Sequence, residues 1–337
     1  MTPRQLLRPL HPERLAARWW PSATETSTIF DESYQPLIGL DNWARERVCD
    51  PRVVEAFHTM SGHIHRRWLF EVREPVLVEP SLGRVFTRHW RLLEGTSPYE
   101  HMDPKLPLSA LPALLRQRDV DRVSEAVSLH DTNGSNYWHL HDDVLPKAAL
   151  AASMGYATGI TSAATDRSLI AASGLSLVVQ QRPLLVDRLL VGHTGSLRRE
   201  NFPLAASRVD GSERVLLVRS PLRDRHLRNQ SAVADALLPF GFAVLDTDYL
   251  PFEAQRLALS RAAVVVAVHG AGIVNYHLRA CPACLIEIFP ADHIAPHFAW
   301  MARTLGWDYT AVVGGRVAHG SFEMDPRVVV SALQRML

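Results

Sequence analysis

Short apolar runs alternate with amphipathic stretches through the second half of the chain. The β-branched runs predict strands at 215–219, 242–245, 263–268, 285–289 and 309–313. Helical periodicity fills the intervening stretches at 229–238, 252–261, 272–279 and 296–305. Strands that alternate with helices in this way predict a parallel sheet with right-handed crossovers. A last helix is predicted to begin at Pro326, because Asp325 is a good N-cap and proline suits the first turn.

A similar alternation begins near residue 108 in the first half of the chain. It predicts, in chain order, a helix at 108–117, a strand at 123–129, a helix at 136–152, a strand at 157–161, a helix at 166–173 and strands at 176–180 and 186–192. The preceding residues 1–100 are irregular, apart from one predicted β-hairpin with strands at 75–79 and 84–88 around a PSLG turn. The polar segment 193–212 is predicted to be a linker.

Composition changes this picture only by excluding some classes of partner. The chain has 337 residues, of which 47% are hydrophobic and 21% charged, so it has room for two domains of about 150 residues each. Its formal net charge of +1 gives no general electrostatic reason to expect nucleic acid or an acidic membrane as partner. A basic binding site would have to be local.

The cysteines and the apolar runs bear on the compartment. Cys49, Cys281 and Cys284 are an odd set that cannot form a complete disulfide framework, which favours the cytoplasm. The CxxC pair lacks a second pair of ligands, so we expect a loop with two small thiols rather than a zinc site. No apolar run reaches the ~18 residues that a membrane span needs, and the N-terminus lacks a signal-peptide core. Trp19 and Trp20 follow several arginines, which leaves open a peripheral membrane contact or simple packing on the chain's own domain.

The segment HGAG at 269–272 follows an apolar strand directly and precedes a predicted helix. The first N–H groups of a helix at such a junction lack partners and point at the carboxyl edge of the sheet, which favours an anion. Gly270 and Gly272 would allow close approach, Ala271 lies between them, and His269 and Asn275 would add hydrogen-bond donors. The alternative is a tight turn without a ligand.

Four arginines lie at the end of the strand predicted at 215–219 or soon after it; they are Arg219, Arg223, Arg225 and Arg228. The carboxyl ends of parallel strands share one edge of the sheet, so these side chains and the glycine turn should lie on the same rim. Two guanidinium groups could neutralise a diphosphate without a metal. The alternative is a basic loop that is merely solvated.

Glu287 is an acid inside an otherwise apolar strand and therefore needs a partner. Either a structural arginine or the hydroxyl pair of a ribose would serve, and the strand's position favours the ribose.

His139 and Asp143 are four residues apart on the helix predicted at 136–152, so they share one face and could act together as a general base. An exposed helical pair without function is the alternative, and the neighbouring His141 and Asp142 are assigned no role. We find no paired carboxylates at a strand end that would hold a metal-bound diphosphate, so no metal is expected.

Three blocks of the chain together resemble glycosyltransferase family 61, including its bacterial capsular-polysaccharide members. The blocks are NYWHLHDDVLPK at 136–147, Arg219 with Arg225 to Asn229, and Ala263 to Asn275 with Glu287. The resemblance covers 136–290 in the right order and spacing. It implies a GT-B fold, an α/β architecture in which two Rossmann-like domains with parallel sheets face a cleft. It also implies inverting transfer by single displacement, without a bound metal.

The resemblance and the residue patterns together define the expected organisation. We expect an irregular β extension of the acceptor domain at 1–105, an acceptor-side α/β domain at 106–200, a donor-nucleotide domain at 205–325 and a C-terminal helix at 326–337. The donor is expected to be a nucleoside diphosphate sugar, the acceptor a hydroxyl of a glycan or similar molecule, and no cofactor is expected.

Particular residues carry the expected chemistry. Asp143 with His139 would take the acceptor proton, and the donor residues would be Arg219, Arg225, Asn229, His269, Gly270, Ala271, Gly272, Asn275 and Glu287. Two alternatives stay open: a non-catalytic nucleotide-binding protein of the same fold, and an esterase-like hydrolase. The absence of a GxSxG nucleophile motif from the sequence speaks against the hydrolase.

Overall fold

The computed structural model describes residues 26–80, 83–87, 93, 121–131, 136–162, 167–202, 211–279 and 282–337. The chain forms two compact units. Unit 1 comprises Met1–Ser33 and Arg66–Ser196, and unit 2 comprises Tyr34–His65 and Leu197–Leu337. The helix predicted at 108–117, the Trp19 and Trp20 pair and Cys281 lie outside the described residues. No helix in the described ranges is both long enough and apolar enough to cross a bilayer.

Unit 1 is built on a mixed sheet. Its strands are β1 (Thr26–Tyr34), β2 (His65–Val72), β3 (Val76–Val78), β4 (Val85–Thr87), β5 (Asp121–Ser128), β6 (Thr158–Thr161), β7 (Ser176–Val179) and β8 (Leu184–His193). The strand order is β1-β2-β8-β5-β6-β7, with β3 paired to β8 and to β4. Strands β5, β6, β7 and β8 form parallel pairs, whereas β2 and β3 run antiparallel to β8, and β4 to β3.

The antiparallel strands correct one expectation for unit 1. The resemblance implies a parallel Rossmann-like sheet in both domains, but β8 lies between a parallel neighbour and antiparallel ones. Strands β2 and β3 precede the βα alternation in the chain and add to the sheet by direct antiparallel pairing, which needs no helical crossover. The facing arrangement of two GT-B domains stays a prediction.

The described helices of unit 1 pack in one core with Leu69, Val127 and Leu190 of this sheet. They are Tyr137–His139, a π-helical turn at Leu140–Val144, Leu145–Ser153 and Arg167–Ala171. The predicted helix at 136–152 is therefore interrupted by a wider turn, and all five residues of that turn are buried. Asn136 caps the start of the helix, since its side chain accepts a hydrogen bond from the backbone N–H of Trp138.

Unit 2 contains an all-parallel sheet. Its strands are β9 (Glu213–Val218), β11 (Phe242–Asp246), β12 (Ala262–Val268), β13 (Cys284–Phe289) and β14 (Asp308–Val313), in the order β11-β9-β12-β13-β14. All neighbouring pairs are parallel, so the sequence-based prediction of the sheet is confirmed. In this order the first strand of the sheet lies between the second and the third, as in doubly wound folds.

Helices and short segments complete unit 2. They are the helices Leu40–Arg45, Pro51–Ser61, Gln230–Leu237, Phe252–Arg261, His297–Leu305 and Pro326–Met336, the 3-10 segment Ala271–Leu278, and the parallel pair β10 (His226–Leu227) and β15 (Ser321–Phe322). The segment after the glycine turn is thus a 3-10 helix where an α-helix was predicted. Val266 and Ile286 of the sheet pack in one core with Leu237 and Leu333 of two helices.

Residues 34–65 correct the predicted domain boundary. The sequence places 1–105 in one extension of the acceptor domain, but Tyr34–His65 belongs to unit 2. The guanidinium of Arg303 donates to the carbonyls of Ile38 and Pro36, at 2.9 and 2.8 Å. The hydroxyl of Thr310 donates to the Arg47 carbonyl at 2.8 Å. Such long-range bonds are set by tertiary packing and have no local sequence signal.

The predicted linker at 193–212 is wrong in its first residues. His193 is the last residue of β8, and Ser196 is the last residue of unit 1. Unit 2 resumes at Leu197 and includes a short 3-10 segment at Arg199–Asn201, while residues 203–210 lie outside the described ranges. His193 therefore belongs to a strand, and residues 194–196 belong to unit 1.

Candidate functional site

The candidate anion site lies at the carboxyl edge of the unit 2 sheet. The chain runs from β9 to β11 on one side and then to β12 on the other side of β9. Connections that diverge from neighbouring strands leave a crevice beyond their carboxyl ends, and ligands of open α/β sheets bind there. Arg219 follows β9 directly and His269 follows β12, so both flank this switch point.

Arg219 lies across the glycine turn. Its Nη1 donates to the His269 carbonyl at 3.3 Å, and its Nε donates to the Asp224 carbonyl at 2.9 Å. A Cβ atom built on Gly270 would lie only 2.0 Å from this Nη1. We expected Gly270 to make room for a ligand; instead its missing side chain leaves room for the arginine. The two sequence features that predicted the anion site therefore meet in the folded protein.

The second glycine of the turn has a different neighbour. A Cβ on Gly272 would lie 3.0 Å from the hydroxyl oxygen of Thr247, just after β11. Ala271 begins the 3-10 segment and is partly buried. The turn is thus closely packed between the ends of three strands, which keeps its backbone in one place.

Arg225 is held in an unusual conformation beside Arg219. Its backbone is left-handed, with φ 63°, and its Nη1 is buried with no hydrogen-bond partner in the part of the chain that the structure describes. Burial lowers the pKa of Arg225, while burial and the charge of Arg225 lower the pKa of Arg219. The next residue begins β10, where the His226 N–H donates to the Gly320 carbonyl at 3.2 Å and holds the backbone. Strain and an unsatisfied cation at one position are typical of a site that binds a ligand.

The other two arginines of the predicted rim have protein partners. Arg223 forms an ion pair with Asp248 at 3.0 Å, and Arg228 contacts the Ser321 hydroxyl at 3.2 Å. Arg219 and Arg225 are therefore the two arginines of the rim whose positive charges lie close together. Arg223 and Arg228 instead bind other side chains of the protein.

Two predicted donor ligands are structural links instead. The Asn229 amide donates to the Met324 carbonyl at 2.8 Å and accepts from the Met324 N–H at 3.1 Å. Asn275 is fully buried and donates to the Gln255 side chain at 3.1 Å. Gln255 in turn donates to the Thr247 carbonyl, so Asn275 ties the glycine turn to the loop after β11. Direct contact of either asparagine with a donor is not what this geometry favours.

The expected partner of Glu287 is wrong. Among the described residues no arginine pairs with it: the carboxylate is fully buried, 2.5 Å from Nδ1 of His269, and accepts from the Tyr309 hydroxyl at 2.7 Å. Burial raises the pKa of Glu287 to about 8, with the Tyr309 hydrogen bond acting in the opposite direction. Burial, together with the charges of Arg225 and Arg219, lowers the pKa of His269 to about 3.

The directions of these two shifts favour a pair in which neither side chain is charged. At neutral pH the Glu287 carboxyl is protonated and donates to Nδ1 of His269, so the ring proton lies on Nε2. Glu287 thus positions His269 with an N–H on the ring edge away from the carboxyl.

His293 joins the same cluster and was missed in the sequence. It follows β13, and its ring lies 5.3 Å from that of His269, measured between centroids. Desolvation and the positive charges of Arg225 and Arg219 lower its pKa. The rule that placed the arginines, that residues just beyond parallel strands share an edge, also applies to β13 and would have found it.

Unit 1 contains a second cluster, centred on Asp143. Its carboxylate lies 2.7 Å from Nδ1 of His139 and 2.9 Å from Nε2 of His193, and it accepts from the Ser196 hydroxyl at 2.5 Å. Burial opposes ionisation, but the hydrogen bonds and charges of the two histidines hold the pKa of Asp143 well below its usual range. His193 and Ser196 were missed because their segment was assigned to the linker.

The partners of Asp143 differ in what they can do. Nδ1 of His193 accepts the Gly195 N–H at 3.1 Å, and its Nε2 lies 2.9 Å from the Asp143 carboxylate. His139 has a side chain that is 25% exposed, against 3% for Asp143. Burial lowers the pKa of His139, but the hydrogen bond and charge of Asp143 outweigh it and raise the pKa. The accessible titrating group is therefore the imidazole.

Three side chains could in principle hold a cation. Asp131, His139 and Asp143 each offer one ligand atom, and these atoms lie within 4.8 Å of one another. Among the described residues, no other group of three such side chains lies close enough together to hold a metal ion. Cys284 is not part of such a group, and burial raises the pKa of its thiol to about 12.

A comparison with known protein families covers most of the residues described above. Residues 137–284 match the Glycosyltransferase 61 family model. The match begins in the helix that carries His139 and ends at the start of β13, so it includes the Asp143 cluster, Arg219, Arg225 and the glycine turn. Glu287 and His293 lie beyond it. The similarity to Glycosyltransferase 61 supports glycosyltransferase activity for this chain, and no curated protein matches it.

Proposed function

We propose that the chain is an inverting glycosyltransferase that takes a sugar from a nucleoside diphosphate donor. The observation that carries this proposal is the pair Arg219 and Arg225, two partly buried guanidinium groups at the switch point of a parallel sheet, one of them with an unsatisfied nitrogen. Their mutual repulsion and desolvation cost free energy that a bound dianion would recover. Among diphosphate ligands we propose a sugar nucleotide, and the similarity to Glycosyltransferase 61 supports this proposal.

Diphosphate is the leaving group of this proposed reaction. As the glycosidic bond to the donor breaks, negative charge grows on the leaving oxygen, and preorganised cations and N–H donors stabilise it best. Arg219, Arg225 and the Nε2–H of His269 supply such groups in a closely packed site. In many enzymes a divalent cation stabilises the negative charge of a leaving diphosphate. Because the two arginines can do the same here, we propose transfer without a metal.

His139 is proposed as the general base, with Asp143 orienting it. This reverses the roles expected from the sequence, in which Asp143 takes the proton, because Asp143 is buried and its oxygens already accept three hydrogen bonds. A neutral His139 would use Nε2 to deprotonate the acceptor hydroxyl while Nδ1–H donates to the carboxylate. Attack by that hydroxyl on the anomeric carbon in a single displacement would invert its configuration.

The acceptor is proposed to be a hydroxyl of a glycan, in a polysaccharide-building role. This part rests on the resemblance to capsular-polysaccharide members of the family. A cytoplasmic location, favoured by the cysteine count, stays a prediction.

A donor and acceptor screen tests the function. Purified protein is incubated with uridine, guanosine and cytidine sugar nucleotides and an array of oligosaccharide acceptors, and product is measured after subtraction of donor hydrolysis. We expect transfer with at least one donor, lost in His139→Gln but retained in the matched surface variant His63→Gln. Binding of nucleotide without turnover for any pair would identify a non-catalytic binding protein. Transfer unaffected by His139→Gln would remove this residue from the base role.

A further inference from the structure

We propose that His293 is a direct ligand of the donor diphosphate and takes up a proton when the diphosphate binds, so that donor affinity is linked to pH. This inference rests on the proposed function, because it concerns the same anion site at the switch point. The donor patterns found in the sequence do not include His293, and the family match ends before it.

His293 lies beside the residues of the anion site. It lies in the loop after β13, on the edge of the sheet where Arg219 follows β9 and the glycine turn follows β12. Its ring is 5.3 Å from the ring of His269, which itself packs on Phe298 and is held by Glu287. His269 is almost completely buried, whereas His293 is exposed. Of these two imidazoles, His293 can exchange a proton with solvent and reach an incoming phosphate.

Charged groups around His293 change its pKa. Desolvation by the surrounding residues and the positive charges of Arg225 and Arg219 lower the pKa of His293 to about 4, and Asp292 acts in the opposite direction. The Asp292 carboxylate is itself occupied, since it accepts the Val317 N–H at 3.1 Å. In the free protein His293 is therefore neutral near pH 7, although it lies in a site built for anions.

A bound diphosphate would reverse this balance. Its negative charges offset the two guanidinium groups, and a phosphate oxygen is a strong acceptor for an imidazolium N–H. The pKa of His293 would rise on binding, so the complex holds more protons than the free protein. The affinity for the diphosphate should then increase as pH falls toward the pKa that His293 has in the free protein. Above the pKa that His293 has in the complex, this increase in affinity should be absent.

Isothermal titration calorimetry measures this linkage directly. Wild type is titrated at pH 7 with UDP and GDP in PIPES and in Tris, two buffers with very different ionisation enthalpies, and the dependence of the binding enthalpy on the buffer gives the protons taken up. His293→Gln is measured in the same way, with His63→Gln as a matched histidine control. The terminal phosphate of a free nucleotide can bind its own proton, and comparison of variant with wild type removes that contribution.

The expected result is a larger proton uptake by wild type and His63→Gln than by His293→Gln, by up to about one proton. Wild-type affinity should also rise by up to about tenfold per pH unit on acidification, more steeply than that of the variant. Equal proton uptake by wild type and His293→Gln, with binding intact, would overturn this inference and leave the proposed function standing. Absence of UDP and GDP binding to wild type would overturn both.

Discussion

Arg225 combines three features that are rarely found together at one residue. Its backbone has a left-handed φ of 63°, its Nη1 is buried with no hydrogen-bond partner among the described residues, and its charge repels that of the neighbouring Arg219 guanidinium. Each feature costs free energy in the absence of a ligand. The simplest physical reason for keeping all three is an anion that binds there.

Replacement of Arg225 by alanine should therefore act on donor binding more than on folding. A charge-assisted hydrogen bond contributes about 1.5–3 kcal/mol, so we expect nucleoside diphosphate affinity to fall about 10- to 150-fold or become undetectable. Calorimetry gives the affinity, and Arg223→Ala is the matched control, because Arg223 is already paired with Asp248. Equal affinity in wild type and Arg225→Ala would contradict the role of this residue.

Asp143→Asn should separate binding from transfer. The charge of Asp143 raises the pKa of His139, and a base must be neutral, so wild-type kcat should fall as pH drops through that raised pKa. Without the charge, the acidic limb of the pH profile should shift to lower pH and the plateau rate should fall by at least about tenfold. Nucleoside diphosphate affinity should not change.

The pH profile of kcat, measured for Asp143→Asn, wild type and the surface control Asp187→Asn, checks this expectation. An acidic limb at the same pH in all three proteins would mean that the group it reports is not His139.

The Glu287 and His269 pair predicts a pH-dependent stability. Burial raises the folded-state pKa of Glu287 from 4.5 to about 8, so the folded protein holds this proton more tightly than the unfolded chain. The stabilisation that this proton gives to the folded protein is complete below pH 4.5 and is lost as pH rises toward about 8. The free energy of unfolding of wild type minus that of Glu287→Gln, from urea titrations, should therefore decrease over this range. A constant difference would show that Glu287 is ionised throughout.

At the scale of elements, periodicity located the regular strands well. Strand β12 is almost completely buried, so every position is apolar, and its run of valines and alanines is easily recognised. The π turn at Leu140–Val144 and the 3-10 segment at Ala271–Leu278 were predicted as α-helix, because residue type constrains a helical hydrogen-bond pattern only weakly. Both departures occur beside the candidate site residues, where packing around polar groups competes with regular geometry.

The helix Pro326–Met336 was predicted as a separate terminal element, yet its apolar face completes the unit 2 core. Leu333 is fully buried there, whereas Val328 on the same helix is 42% exposed. We expect Leu333→Ala to lower the free energy of unfolding by about 2–5 kcal/mol and Val328→Ala to change it little. Urea denaturation of both variants measures this difference. Similar small losses would mean that the helix does not belong to the cooperative core.

At the scale of the whole molecule, the sequence predicted the α/β class and the parallel sheet, but it did not predict the division of the chain. Residues 34–65 join unit 2 through bonds such as Arg303 to the Ile38 carbonyl, about which local patterns carry no information. Arg219 and the glycine turn were predicted to meet because strand ends share an edge. Asn229, Asn275 and Glu287 were assigned to the ligand, although they bind protein, because a sequence does not distinguish a buried polar residue from one that faces a ligand.

Metal dependence is a property of the whole enzyme and can be tested as such. Because two arginines provide the charge for the leaving group, transfer should proceed unchanged after dialysis against EDTA. Activity lost in EDTA and restored by Mn²⁺ or Mg²⁺ would instead favour a cation, with Asp131, His139 and Asp143 as the first ligands to replace.

The most direct measurement is a crystal structure of the full chain with the tightest-binding nucleoside diphosphate. The account predicts phosphate oxygens within hydrogen-bond distance of the guanidinium groups of Arg219 and Arg225, beside the turn at Gly270. A diphosphate bound anywhere else on the protein, with this edge of the sheet unoccupied, would contradict it.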